Sequence, residues 1–174
     1  MKMNIGIFQY EMQDESPLEK IGRLETQLNN NPQLDIVVCP ELFISGYGSF
    51  EKIKEYSENR DGKYANKIAS LAKKTSTAIV YGYPEMQGDS LFNSAQLFDS
   101  KGISIANHRK KMLPPTADES KIFTPGQDSS IVSINGIKIA IVICYELEFP
   151  ELIRELALQD VQLIIAPTGQ SSNW

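Results

Sequence analysis

The chain has 174 residues, of which 41% are hydrophobic and 22% are charged, so one core is expected, in a single domain over residues 1–174. Its net charge of -5 disfavours a nucleic-acid partner, because phosphate binding needs a positive patch. The apolar runs are strand-sized, well below the roughly 20 residues that cross a bilayer, and no secretory leader pattern opens the chain; both features predict a cytoplasmic protein without a membrane segment.

The first half of the chain alternates strand and helix patterns. Leu18, Ile21, Leu24 and Leu28 recur on roughly one helical face and follow a β-rich apolar run. A later strand ends at Pro40 and leads into a loop that contains glycines. The predicted elements are a strand at 3–9, a helix over 18–28, a strand at 34–39, a loop at 41–50, a helix at 64–75 and a strand at 78–83.

The second half adds strand pairs and an irregular segment. Strand patterns at 91–98 and 103–107 flank a turn typical of antiparallel strands, so the sheet is predicted to be mixed. Residues 108–127 lack periodicity, which is typical of segments that are either functional or disordered. The remaining predicted elements are a hairpin of 131–134 and 137–143 around Asn135-Gly136, a helix that begins at Pro150, and a buried strand at 161–166.

Cys144 stands where an apolar strand meets a turn before a helix. There, backbone N–H groups and the helix N-terminus can stabilise a thiolate, as a nucleophile requires. The alternative is a small core residue, because free cysteine is commonly buried. Cys39 is far away in sequence, and in a reducing cytoplasm two such cysteines are predicted to be free thiols.

A cysteine nucleophile needs a base, and the single histidine, His108, lies in a basic run with no evident relay to Cys144. Glu41 directly follows a buried strand and Pro40, where partial burial would raise a carboxyl pKa toward a useful value. Lys110, just past a strand, is a candidate to stabilise an oxyanion. The alternatives are an exposed loop glutamate and a solvated lysine.

Three motifs occur in order: Pro-Glu-Leu-Phe at 40–43, Arg-Lys-Lys-Met-Leu at 109–113 and Ile-Cys-Tyr-Glu-Leu-Glu-Phe-Pro-Glu at 143–151. Together they resemble the nitrilase superfamily of carbon-nitrogen hydrolases, and the resemblance covers nearly the whole chain. It implies an α/β fold of the α-β-β-α sandwich type, in which two sheets pack face to face with helices outside. It also implies a homo-oligomer.

The resemblance assigns Glu41 as the base, Lys110 as the catalytic lysine and Cys144 as the nucleophile, with Lys111 as the register alternative for the lysine. The implied reaction cleaves a small non-peptide amide or carbamoyl compound to an acid and ammonia or an amine. It proceeds through a cysteine thioester and requires no metal or organic cofactor.

The resemblance also points to further site residues. Phe-Thr-Pro-Gly at 123–126 sets the register for a second catalytic glutamate, which is Glu119, with Asp118 as the competing position. Either Glu41 or Glu119 is then expected to activate the water that hydrolyses the thioester. Beside the nucleophile, Tyr145 and Glu146 are predicted to bind substrate.

The chain departs from the family pattern at several positions. Glu146 stands where aspartate is usual, Glu148 replaces a frequent arginine, and Met112 replaces a common histidine. These differences leave the chemistry intact but do not identify the substrate. The chain stops at 173–174, earlier than family members generally do, which predicts a C-terminal truncation with part of the pocket missing. An inactive fragment or binding module is therefore the alternative function. A redox or glutaminase-like protein is disfavoured, because Cys144 lacks a Gly-x-Cys-x-Gly elbow.

Overall fold

Two β-sheets lie face to face in the computed structural model, which describes residues 2–9, 15–47, 49–115 and 119–169. The strands are β1 (Ile5–Ile7), β2 (Ile36–Val38), β3 (Ala78–Gln87), β4 (Ser90–Phe98), β5 (Ser104–Arg109), β6 (Ser130–Ile134), β7 (Ile137–Ile141) and β8 (Leu163–Ile165). The helices are α1 (Pro17–Asn30), α2 (Phe50–Glu55), α3 (Lys63–Thr75), α4 (Glu119–Ile122) and α5 (Pro150–Leu158), and a 3-10 turn covers Cys144–Glu148.

The larger sheet has the strand order β1-β2-β3-β4-β5. β1, β2 and β3 run parallel, whereas β4 and β5 are added by antiparallel pairing, so the predicted mixed sheet is confirmed. In the smaller sheet β6 and β7 form an antiparallel hairpin, and β8 joins β7 in parallel. Asn135 and Gly136, both at positive φ, make the hairpin turn, as their sequence predicts.

The core between the sheets follows from the two-residue period of the strands. Ile36, Val80 and Leu97 of the larger sheet contact the same buried cluster as Ile139 and Ile141 of the smaller one. Because successive side chains in a strand point to opposite faces, the alternate positions of these strands face outward. Each sheet therefore has a second apolar face to be covered.

Helices cover both outer faces. Leu24 and Leu28 of α1 and Ile68 of α3 pack on the larger sheet, while Leu152 and Leu156 of α5 pack on the smaller one. This arrangement confirms the predicted α-β-β-α sandwich. Within the described ranges, no helix is long and apolar enough to cross a membrane.

The structure differs from the sequence prediction in three elements. α2 begins at Phe50, where only a loop was predicted, because Ser49 caps it by accepting from the backbone N–H of Lys52. β3 continues past its predicted end at Tyr83, through Pro84, to Gln87. Proline has no N–H for a ladder hydrogen bond, but the pairing of β3 with β2 already ends at Val80, so no bond to β2 is lost at Pro84. The third element is α4, a single helical turn inside the segment predicted to be irregular.

Truncation of a side chain between the sheets should destabilise the fold. Ile139 is fully buried, so Ile139→Ala removes its packing and leaves a cavity; we expect a loss of about 2–5 kcal/mol in the free energy of unfolding. Ile103 is 56% exposed and serves as the matched control; Ile103→Ala should change stability by less than about 0.5 kcal/mol. Urea denaturation measures both, and equal losses would contradict the assigned packing.

Candidate active site

Four residues predicted from the sequence meet at one end of the sandwich. Glu41 follows β2, Lys110 directly follows β5, Glu119 begins α4, and Cys144 lies three residues beyond β7. Glu41, Lys110 and Glu119 are each at most 2% exposed, and Cys144 is half-buried. The carboxyl ends of strands from both sheets thus bring together residues that are far apart in sequence.

The ammonium of Lys110 is at the centre of this cluster. Its Nζ lies 2.7 Å from Oε1 of Glu41 and 2.8 and 3.1 Å from the two carboxylate oxygens of Glu119. Burial alone lowers the pKa of Lys110, but the two carboxylates outweigh it and the net direction is upward. Lys110 is therefore held as a cation.

Two further residues, which the sequence did not indicate as site residues, donate hydrogen bonds to the carboxylates of Glu41 and Glu119. Asn93 Nδ2 donates to Glu41 at 2.8 Å and to Glu119 at 3.3 Å, and the hydroxyl of Tyr47 donates to Glu119 at 2.6 Å. The sequence signal for Asn93 is an asparagine in the interior of a predicted strand. Tyr47 offered only its place in a loop between two glycines.

The second oxygen of Glu41 accepts from the backbone N–H of Gly169, at 2.9 Å. The same glycine offers its carbonyl oxygen to the Cys144 Sγ, at 4.0 Å. The segment after β8 therefore contacts both Glu41 and Cys144.

Cys144 is a protonated thiol at neutral pH. Burial raises its pKa to about 11, and the negative charge of the nearby Glu41 carboxylate adds to that rise more than Lys110 reduces it. The direction of the shift is set by burial and by Glu41, so the resting group is the thiol. Cys144 also adopts a left-handed backbone conformation, with φ of 47°, which costs about 1–2 kcal/mol outside glycine.

The structure places Lys111, the alternative catalytic lysine, apart from this cluster. Lys111 Nζ donates to Ser129 at 2.8 Å, so Lys110 is the lysine that contacts Glu41. Asp118, the competitor of Glu119, and residues 173–174 lie outside the described residues. Across the described ranges, no group of three or more His, Cys, Asp or Glu side chains is arranged to hold a metal ion.

The two predicted substrate-binding residues lie in the turn after Cys144. Tyr145 is half-buried and packs edge-on against Phe149, with ring centroids 5.1 Å apart. Glu146 is fully buried, and its carboxylate accepts from His108 and from the backbone N–H groups of Lys111 and Ile143. Glu146 is therefore not available to contact a substrate, which corrects its predicted role.

A cavity of about 350 Å³ lies beside Glu41. It is lined by the ends of β1 and β2, the loop that follows β2, and the segment after β8. Among the described lining residues, Glu41 is the single charged side chain; the others include Phe8, Leu42, Tyr47 and Pro167.

The fold and this cluster define the class of protein. A family model described as carbon-nitrogen hydrolase matches residues 3–174, and the chain belongs to that family, so the resemblance to the nitrilase superfamily is confirmed. The amidase NitN from Nesterenkonia sp. AN1 superposes with a TM-score of 0.83 at 23% identity, over 99% of this chain and 69% of that one.

Curated relatives have hydrolase and amidase names. A protein named hydrolase in pqqF 5'region from Pseudomonas protegens is 39% identical over 88% of this chain and 55% of its own length. The human omega-amidase NIT2 is 31% identical over 76% of this chain and 50% of its own, and the 2-oxoglutaramate amidase of Bacillus subtilis is 29% identical over 89% and 60%. The chain spans about half the length of the curated relatives it matches.

The reactivity of Cys144 should report the negative charge beside it. Iodoacetamide reacts with thiolates, so alkylation of Cys144 should increase with pH through a midpoint near 11. Glu41→Gln removes a charge that raises this pKa, and we expect a lower midpoint. The measurement is the mass of the Cys144 peptide as a function of pH.

The exposed Glu55 provides the control, since Glu55→Gln should leave the alkylation midpoint unchanged. A wild-type midpoint at the ordinary thiol value, about 8.5, would contradict the geometry of the cluster.

Proposed function

We propose that this chain is a hydrolase that cleaves a small non-peptide amide to a carboxylic acid and ammonia or an amine. Cys144 is the nucleophile, Glu41 the general base and Lys110 the oxyanion stabiliser. The observation that carries the proposal is the position of one carboxylate, Glu41, which accepts from the ammonium of Lys110 at 2.7 Å and from the backbone N–H of Gly169 at 2.9 Å, while the carbonyl oxygen of the same Gly169 lies 4.0 Å from Sγ of Cys144.

In the first step Glu41 accepts the thiol proton as Sγ attacks the amide carbon. The pKa of about 11 makes this transfer necessary, because little thiolate is present at neutral pH. The carbonyl π electrons move to oxygen, and Lys110 stabilises the resulting oxyanion. Since the two oxygens of Glu119 can share one N–H of Lys110, the ammonium has an N–H to donate to that oxyanion.

In the second step the tetrahedral intermediate expels its nitrogen. Glu41 returns the proton to the leaving nitrogen, the C–N bond breaks, and the acyl group remains on Sγ as a thioester. Water then attacks the thioester with Glu41 as base and regenerates the thiol. Glu119, which contacts Lys110 and Tyr47, holds the lysine charged and in place.

The cavity beside Glu41 is where we place the acyl group of the substrate, and its lining favours an uncharged group. A carboxylate on the substrate would enter a space whose described lining has no lysine or arginine and would lie near Glu41. Structures of the amidase from Nesterenkonia sp. AN1 include complexes with butyramide and acrylamide, both neutral. We therefore propose small neutral amides as substrates. The homo-oligomer and the cytoplasmic location stay predictions.

Replacement of Cys144 should abolish turnover. With butyramide as substrate, we expect Cys144→Ala to lower the rate of ammonia release by at least about 1000-fold, because the nucleophile is lost. Ser133→Ala, an exposed position of β6 away from the cavity, is the control and should retain most activity.

Two results would contradict the proposed hydrolase activity. Ammonia release that persists in Cys144→Ala would exclude Cys144 as the nucleophile. A silent wild-type chain would favour the binding-module alternative, provided that urea denaturation shows a cooperative fold.

The charge of the acyl group should decide between substrates. We expect kcat/KM for butyramide to exceed that for succinamate, a dicarboxylate monoamide, by at least about tenfold, which is about 1.4 kcal/mol of transition-state stabilisation. Colorimetric ammonia release measures both. A preference for succinamate would contradict the neutral acyl site while leaving the hydrolase intact.

A further inference from the structure

The carboxylate of Glu146 joins two segments that carry the active site. It is fully buried and accepts from the backbone N–H of Ile143 at 2.6 Å and from the backbone N–H of Lys111 at 2.9 Å. Ile143 precedes Cys144 and Lys111 follows Lys110. Each of these two bonds is therefore one residue away from a reacting group.

His108 provides the third contact of this carboxylate. Its Nε2 lies 2.7 Å from Oε2 of Glu146, and the ring is 1% exposed. The buried Nδ1 has no hydrogen-bond partner among the described residues, so the tautomer with the proton on Nε2 leaves no buried N–H unsatisfied. His108 thus donates to Glu146.

Glu146 remains ionised in this setting. Burial alone raises the pKa of Glu146, but the contacts with His108 and the two backbone N–H groups outweigh it and the pKa lies below its usual value. A buried carboxylate with three donors is a rigid contact, because loss of one partner leaves an unsatisfied buried charge.

The nucleophile needs such support. Cys144 holds a left-handed backbone conformation at the start of the 3-10 turn, and a residue of this type keeps that conformation only where its surroundings enforce it. Glu146, three residues from Ile143 in the same turn, closes the turn and anchors it to the strand end that carries Lys110.

We propose that Glu146, held by His108, is a positioning residue that sets the distance between Cys144 and Lys110 through the backbone and does not touch the substrate. This inference rests on the proposed function for its kinetic consequence. Its structural consequence, the placement of Cys144 beside Glu41, can be measured without turnover.

The kinetic test uses Glu146→Gln, which keeps the shape of the side chain but has a single acceptor oxygen for its donors. We expect kcat for butyramide to fall by at least about tenfold with KM within about threefold of wild type, since a misplaced nucleophile slows chemistry without altering the cavity. Glu155→Gln, at an exposed glutamate of α5, is the control and should retain both values.

The second readout is alkylation of Cys144. In Glu146→Gln the thiol should move away from Glu41 and become more accessible to water, so its alkylation midpoint should fall from about 11 towards the ordinary value of about 8.5. A residue that only stabilises the fold would lower the unfolding midpoint in urea and leave this profile unchanged.

If Glu146→Gln fails to fold, substitutions of His108 test the same positioning role. His108→Gln retains an N–H donor and should preserve most of kcat, whereas His108→Leu should reproduce the loss in kcat and the shifted alkylation profile. Equal kcat values for the two variants would overturn the role of His108.

The outcomes separate the two proposals. A raised KM with unchanged kcat in Glu146→Gln would overturn positioning in favour of substrate binding, and unchanged kcat and alkylation would overturn it outright. A wild-type chain that releases no ammonia, but whose alkylation profile shifts in Glu146→Gln, would overturn the hydrolase and support the placement of Cys144 by Glu146.

Discussion

The ammonium of Lys110 lies between the carboxylates of Glu41 and Glu119 in the interior of the protein. Removing three charges from water is costly, and the cost is offset only by close contacts and further hydrogen bonds. Asn93 and Tyr47 provide part of those bonds. Of these charges, that of Glu41 raises the pKa of the Cys144 thiol more than that of Lys110 lowers it.

The sandwich makes this arrangement possible because its elements end at one place. Glu41 and Lys110 follow strands of the larger sheet, while Cys144 follows a strand of the smaller one. The apolar packing between the sheets therefore sets the separation of base and nucleophile. Gly82 illustrates how closely the strands and loops pack: a Cβ there would lie 2.4 Å from the backbone nitrogen of Leu42, next to Glu41.

Much of this structure could be predicted from the sequence. Two-residue and helical periods identified most strands and helices, and the ordered motifs identified Glu41, Lys110 and Cys144. The state of the thiol could not be predicted, because it depends on burial and on a carboxylate about a hundred positions away in the chain. The contacts of Glu146 likewise depend on tertiary packing against His108, which adjacency to Cys144 does not indicate.

The most direct test of the proposed mechanism is whether an acyl group is transferred to Cys144 during turnover. Hydroxylamine added to the reaction with butyramide should capture the thioester, so butyrohydroxamate should form in proportion to hydroxylamine at the expense of butyrate, and neither product should form with Cys144→Ala. Ammonia release accompanied by butyrate alone, at every hydroxylamine concentration, would contradict a covalent intermediate on Cys144.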